Sequence, residues 1–496
     1  MQSPRRTATM LAFALALALA SGLGCAKPVH PAGSGRGLLL IVIDGLRADH
    51  VGCYGYDRAT TPELDALARD GVVFDNAFSS APWMLPAYAS LLTGCDPLVS
   101  RRVLPPDIPP ALATMWHVPN GAPLTAAEML RNGWNTAAFL DHAMLAAVYG
   151  FARGFQTFDA FAPERVRTAD DLGANGVTTR FETWLAGRRG NANWFAMLQI
   201  SDLDRVWNES DEIWDTYFAP RPELNYVPPV GDALRIYYAI PRSHWSGGMR
   251  TLGEYEAEYD GALRRIDQRL GRLLNSLRTR GVLEHTTVVV TSSFGVGFGE
   301  AGLYLDHGTL TDVDLHVPLI IRPAAGVECA RGKHATAVAS TIDIAPTMLA
   351  LQNVDTPNDM QGESLVEALR GRAASVRRFV FASCGYQEGT AVIDERYCFE
   401  STSPWKAEDR VLVQSWYGGS PIDPVQREVL HDRATEKNPG HARGAAVDEA
   451  TVAPMRAAAT EWEKRVEQVR RVLHATDWLE DHKVEPPAKD SNGRGS

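Results

Sequence analysis

The sequence predicts an α/β fold, a helix-covered sheet with a smaller C-terminal α+β domain, and three stretches carry that prediction. GLLLIVIDG, Gly37 to Gly45, is a continuous apolar run rich in β-branched residues that closes on Asp-Gly, the pattern of a strand buried on both faces. From Tyr255 to Arg278 apolar residues recur at helical spacing, among them Tyr259, Leu263, Ile266, Leu270, Leu274 and Leu277, which predicts a long amphipathic helix lying on the sheet. Past about residue 375, FVFASCGY, TAVIDERYCFES and DRVLVQSWY alternate with turn signals and precede a helical stretch from about Val452 to Leu473. These read as the short strands and helix of the smaller domain.

In chain order, Arg5 and Arg6 precede the apolar run LAFALALALA, which is too short to span a bilayer and ends in small residues, as a signal peptide does. The run stops at GLGC. Cys25 is followed by the tether-like KPVHPAGSGR, so the arrangement resembles a bacterial lipoprotein cleavage site with Cys25 as the acylated residue, although Gly22 stands where a large aliphatic residue is usual. A lone lipidated cysteine implies an exported, surface-anchored globule, placed in the cell envelope. Ala26 lacks the aspartate cue for inner-membrane retention, which tilts the expectation toward the outer membrane.

The strand that follows delivers Asp44 to its C-terminal end, where open α/β sheets place ligands. TPELDALARDG then predicts a short helix, with Thr61 or Thr60 as N-cap, Pro62 in its first turn and Gly71 beyond its end. The long helix leads through RGVLEHT to the strand TVVVT, Thr287 to Thr291, and a Gly-rich loop from Ser292 to Gly302. In a parallel sheet that loop reaches the same edge as Asp44. Between Asp204 and Gly253 a proline-punctuated segment rich in aromatics, including Trp207, Trp214, Tyr217, Phe218, Tyr226, Tyr237, Tyr238 and Trp245, reads as a lid or as an irregular cover. The expected organisation is therefore a signal peptide over 1–24 and a tether over 25–36. An α/β domain over 37–372 carries the 204–253 insertion, and a smaller domain over 373–480 precedes a polar tail over 481–496.

At 496 residues and 45% hydrophobic, the chain is long enough for two structural units and too apolar to be disordered. Removing residues 1–24 takes two arginines and no acid, leaving a net charge of −13. Nucleic acid is excluded as a partner on that balance. The cysteines left after Cys25 show no CxxC or metal-finger spacing.

IVIDGLRADHVGCYGYDRATTPELDALARDGVVFDNAFSSAPW, PAYASLLTG, LRRIDQRLGRLL, TTVVVTSSFG, VPLIIRP, STIDIAPTMLALQNV and MQGESLVEALRG follow one another in an order that resembles the sulfatase family of the alkaline-phosphatase superfamily, from Gly37 to about residue 440. The resemblance implies a large mixed, mostly parallel sheet sandwiched by helices. It also implies a hydrolase of sulfate esters whose nucleophile segment is Cys or Ser, any residue, Pro, any residue, Arg, ahead of LLTG.

Fold does not carry chemistry, and most matching positions here hold other residues. Counting back from Leu91–Gly94 puts the nucleophile at Met84, with Pro86 in register. A thioether has no proton to lose and cannot become formylglycine. Tyr88 takes the arginine position, so the charge-stabilising cation is missing. Cys95-Asp96-Pro97 mimics the start of the motif, but it follows LLTG and has Val99 where Arg belongs, and is read as coincidence.

The family's metal site pairs an Asp on the first strand with Asp-His or Asp-Asn on the late one, an oxygen-rich set for a hard cation. Asp44 matches the first. Gly45 stands where many relatives have a second Asp, and Ser293 and Phe294 replace the late pair. No cofactor is therefore expected beyond weak binding of calcium or another divalent metal. After the strand Trp194 to Ile200, Asp202 matches the family Asp of an Asp-Pro-His segment, while Asp204 occupies the histidine place. His307 aligns with the basic residue that contacts the substrate ester; Asp306-His307-Gly308 imitates a metal-loop triplet outside the strand-end register and is read as a substrate-side remnant.

Two readings follow. One is a sulfatase-like lipoprotein without catalysis that binds an anionic glycan or a protein partner. The other is a divergent metal-dependent sulfate or phosphate ester hydrolase built from Asp44, Asp202, Asp204, Asp306 and His307, which demands that these side chains converge within ligand distance.

Overall fold

Seven consecutive residues of β1 (Gly37–Ile43) are buried, and their alternation feeds two separate cores. Leu38, Leu40 and Val42 point into one apolar cluster, and Leu39, Ile41 and Ile43 into the other, as the two-residue period of a strand requires. A computed structural model describes residues 35–100, 117–160, 172–188, 191–205, 217–230, 240, 244, 250–373, 375–384, 389–402, 427–433 and 448–481. The signal-like segment, Cys25, the tether, most of the aromatic insertion and DRVLVQSWY lie outside the described residues.

The main sheet is completed by β2 (Val72–Phe78), β3 (Asn135–Phe139), β4 (Thr157–Asp159), β5 (Trp194–Ile200), β6 (Thr286–Thr291), β7 (Leu319–Arg322) and β8 (Lys333–Ser340), in the spatial order β4-β3-β5-β1-β6-β7-β2-β8. β7 pairs antiparallel with both neighbours and every other pairing is parallel, so the sheet is mixed and mostly parallel. The register Gly37↔Trp194 and Gly37↔Thr286 aligns β1, β5 and β6. Their C-terminal ends therefore lie side by side, and Asp44, Ser201 and Ser292 leave the sheet at one edge.

On one face lie α1 (Pro62–Arg69), α4 (Gly173–Gly187) and the long α5 (Leu252–Thr279); on the other lie α2 (Met84–Thr93), α3 (Thr125–Arg131), α6 (Ile344–Leu351) and part of α7 (Glu449–Asp481). α5 begins three residues before the periodic stretch. Its start is a capping box in which the Thr251 hydroxyl accepts from Glu254 N, and Thr251 N donates to the Glu254 carboxylate. α1 has Thr61 at its N-cap position, but the side chain that accepts its first amides is distant. Glu63 N and Leu64 N donate to the Asp267 carboxylate of α5, at 3.1 and 2.9 Å, which locks the two helices together.

The C-terminal sheet is antiparallel, β12-β11-β10-β9, made of β9 (Val380–Cys384), β10 (Gly389–Ile393), β11 (Tyr397–Thr402) and β12 (Arg427–Asp432). α7 extends past the expected end at Leu473 to Asp481 and reaches back to the main body. Trp462 stacks on Phe381 with centroids 5.1 Å apart and donates its indole N–H to Asp96 at 2.8 Å. Asp96, from the mimic triplet, thus ties α7 to the segment after α2, and Cys95 beside it is buried. Among the described residues Cys53, Cys95 and Cys329 are free thiols.

Candidate functional site

Asp44 sits at the strand edge with no solvent exposure. Its Oδ1 accepts from the Tyr88 hydroxyl at 2.8 Å and from the Ser293 hydroxyl, and its Oδ2 accepts from Gln199 Nε2 at 2.6 Å. The orientation of the Gln199 amide follows from its other end, where Oε1 accepts from the backbone N–H of Asp141 and His142 at 2.6 and 3.1 Å. Burial pushes the Asp44 carboxyl up to about 7, and the three hydrogen bonds oppose that rise. Three neutral donors occupy the oxygens that a cation would take.

The rest of the pocket is apolar. Met84 opens α2, and Met84, Tyr88 and Phe294 all belong to the larger buried cluster. α2 closes on Gly94 in the left-handed region, where Gly94 N bonds to Ser90 O at 2.8 Å. LLTG is therefore a helix end, and it sets which residues of α2 face Asp44. Gly45 has a φ of +76°, and a β-carbon there would meet Val296 at 3.1 Å. An aspartate at that position would need both a left-handed non-glycine backbone and room that is not present.

The sequence-predicted carboxylates do not gather. Asp202 Oδ2 accepts from Ala174 N at 2.8 Å at the start of α4, a helix-capping role. Asp306 Oδ1 accepts from His307 N at 2.8 Å. Asp204, whose side chain is about a quarter exposed, lies 3.9 Å from His142 Nε2. Its charge still reaches Asp44, Tyr88 and Asp306 and disfavours their ionisation. Among the described residues no group of three or more His, Cys, Asp and Glu is arranged to hold a metal ion. A hard divalent cation wanting six or more oxygens is not served by one buried carboxyl already bonded to a phenol, a serine and an amide. The residues present do not fit the family's metal.

His307 packs its ring on Phe294, with centroids 4.2 Å apart. Loss of water around it lowers its pKa to about 4, with His244 and His142 pushing the same way, so the imidazole is neutral at pH 7. The same loss of water raises Asp306 to about 7. Asp314 holds the turn that carries His307, accepting from Gly308 N at 2.9 Å, from Thr309 N at 2.5 Å and from the Thr309 hydroxyl at 2.7 Å. His307 accordingly brings no positive charge to the site. Sequence reasoning missed Gln199 and Asp314. The signal for Gln199 was a lone amide in the otherwise apolar strand WFAMLQI, since a polar residue in a fully buried strand must find partners.

Residues 36–354 match the Sulfatase family. The chain is 22% identical over 437 residues to an N-acetylglucosamine-6-O-sulfatase of Bacteroides thetaiotaomicron, covering 73% of this chain and 75% of that protein. It is 27% identical over 406 residues to human arylsulfatase A, covering 75% and 74%. Among solved structures it resembles a 2-O GAG sulfatase, with a TM-score of 0.65, 19% identity and coverage of 88% and 94%. It also resembles the phosphonate monoester hydrolase of Agrobacterium radiobacter, with a TM-score of 0.61, 20% identity and coverage of 88% and 96%. With the strand-edge position of Asp44, the helix-opening position of Met84 and the family match over residues 36–354, the chain belongs to the sulfatase family.

Proposed function

We propose that this sulfatase-family chain does not hydrolyse sulfate esters and acts by binding. The observation that carries the reading is the Asp44 carboxyl, bonded to Tyr88, Ser293 and Gln199 beneath the buried Met84 and Phe294. Where a catalyst needs a nucleophile, a cation and a divalent metal, the pocket has a thioether, a phenol and a phenyl ring. Losing any one such group typically costs orders of magnitude in rate.

The signal-like run and Cys25 support an exported, lipid-anchored protein of the cell envelope. Of the two ligand classes expected from the sequence, a protein partner or uncharged surface fits the old pocket better than an anionic glycan. Asp204 lies near His142 and acts on Asp306 by its charge, and a neutral His307 attracts no sulfate. The divergent-hydrolase reading requires convergence of Asp44, Asp202, Asp204, Asp306 and His307, and the separate bonding of Asp202 and Asp306 weighs against it.

The test is purified full-length protein assayed against an aryl sulfate, a phosphate monoester and a phosphodiester with calcium, magnesium, manganese or zinc. The expected result is no turnover above a heat-denatured control. Turnover that disappears in Asp44→Ala would refute the binding-only reading.

A further inference from the structure

A second concave site opens on the side of the molecule flanked by α5, away from Met84, Phe294 and His307. It is a cleft of about 660 Å³ whose lining includes Arg47, His50, Tyr56, Tyr226, Glu256 and Tyr304. On its floor, His50 is 4% exposed, and its Nδ1 lies 2.8 Å from Asp260 Oδ1. Asp260 also accepts from the Tyr56 hydroxyl and from Arg58 Nη1, each at 2.7 Å. The Asp260 carboxylate holds the Nδ1 side of the ring, which leaves Nε2 as the free edge of the imidazole. Among the described residues no hydrogen bond is made by that atom, and His50 lines the cleft.

The charges on the walls are already arranged. Arg47 is gripped by both oxygens of Asp49, at 2.9 and 2.7 Å, and by Glu300 at 2.9 Å. Arg221 pairs with Asp57 at 2.6 Å and with Glu256 at 3.1 Å. Both guanidiniums are therefore neutralised, while Asp49, Glu223, Glu256 and Glu300 all line the cleft. Aromatic faces stand beside them: Tyr56 is 4.6 Å from the His50 ring and Phe298 is 5.5 Å from it. Tyr226 and Tyr304 also line the cleft, with Tyr226 41% exposed.

We propose that this cleft is a binding site for an amine-bearing saccharide, its ammonium donating to the wall carboxylates and its hydroxyls bonding to them and to His50 Nε2, while its ring faces lie on the tyrosines. The ligand must bring positive charge, since four carboxylates face two guanidiniums on the walls. It must tolerate excess carboxylate, which excludes sulfated and phosphorylated sugars. It also needs an apolar face, because aromatic rings make up much of the wall, and an ammonium on a tyrosine face adds attraction. The site does not depend on the state of the Asp44 pocket.

Calorimetric titration of the full-length protein with a glucosamine tetramer tests it. The expected result is saturable one-to-one binding, weakened about tenfold or more by His50→Ala and separately by Tyr226→Ala. His307→Ala leaves the affinity unchanged, and the N-acetylated tetramer binds more weakly. Tyr226 is partly exposed, so its variant reports on the site even where His50→Ala disturbs folding. Three outcomes overturn the proposal: no saturable binding, equal binding of pentalysine, or binding lost in His307→Ala and kept in Tyr226→Ala. The last would seat the saccharide in the old pocket, so the cleft would fail while a binding function stood.

Discussion

The body of the sheet and its C-terminal edge are made by the same strands and obey different rules. Within β1, β5 and β6 every residue is buried. One residue beyond β1 and two beyond β6, polar groups satisfy one another: Asp44 accepts from Ser293 and from Tyr88. The comparison teaches that a fully buried carboxyl is tolerated at a sheet edge when each of its oxygens finds a donor. Tyr88 and Ser293 supply two hydroxyl donors aimed at this acid.

The largest effect is expected in the body. Leu40→Ala removes a fully buried side chain between β5 and β6, and chemical denaturation should register a loss of about 2–5 kcal/mol. At the edge, Gln199→Leu strands Asp44 Oδ2 and the amides of Asp141 and His142. A loss of about 2–3 kcal/mol is expected, since one unsatisfied buried polar group costs about 1–3 kcal/mol. A loss below that range would mean that Asp44 is not held as described.

A smaller effect, per pH unit, separates edge from body by titration. Asp96, buried against Trp462, is raised to about 7 by burial, whereas an unfolded aspartate titrates near 4. A group raised on folding contributes stability that is complete below its unfolded pKa and is lost as pH rises through its folded one. Stability should therefore fall between about pH 4 and pH 7, by no more than about 1.4 kcal/mol per pH unit for this residue. Asp96→Asn should flatten that slope. An unchanged slope would assign the pH dependence to the edge carboxyls instead.

Much of this was legible before the structure. The apolar run at Gly37–Ile43, the periodicity of α5 and the strand before Ser292 are local patterns, and LLTG fixed the register that put Met84 and Tyr88 at the edge. The start of α5 escaped because Thr251 and Glu254 are polar and Gly253 interrupts the periodicity, although Thr-x-x-Glu is a cap signature. Gln199 escaped because no motif marks it; its meaning comes from Asp44, 155 residues earlier. The return of α7 to the main body rests on Trp462 meeting Asp96 and Phe381, contacts across hundreds of residues that no short-range pattern encodes.

The most direct measurement of the central claim is a calcium titration of the full-length protein by calorimetry, repeated as a thermal melt with and without a chelator. The account predicts no saturable binding in the micromolar range and the same melting temperature in calcium and in chelator. A resident ion at a hundred times its dissociation constant would instead add about 2.7 kcal/mol of stability. Saturable one-to-one calcium binding that Asp44→Asn abolishes, with a melting temperature that falls in chelator, would contradict it.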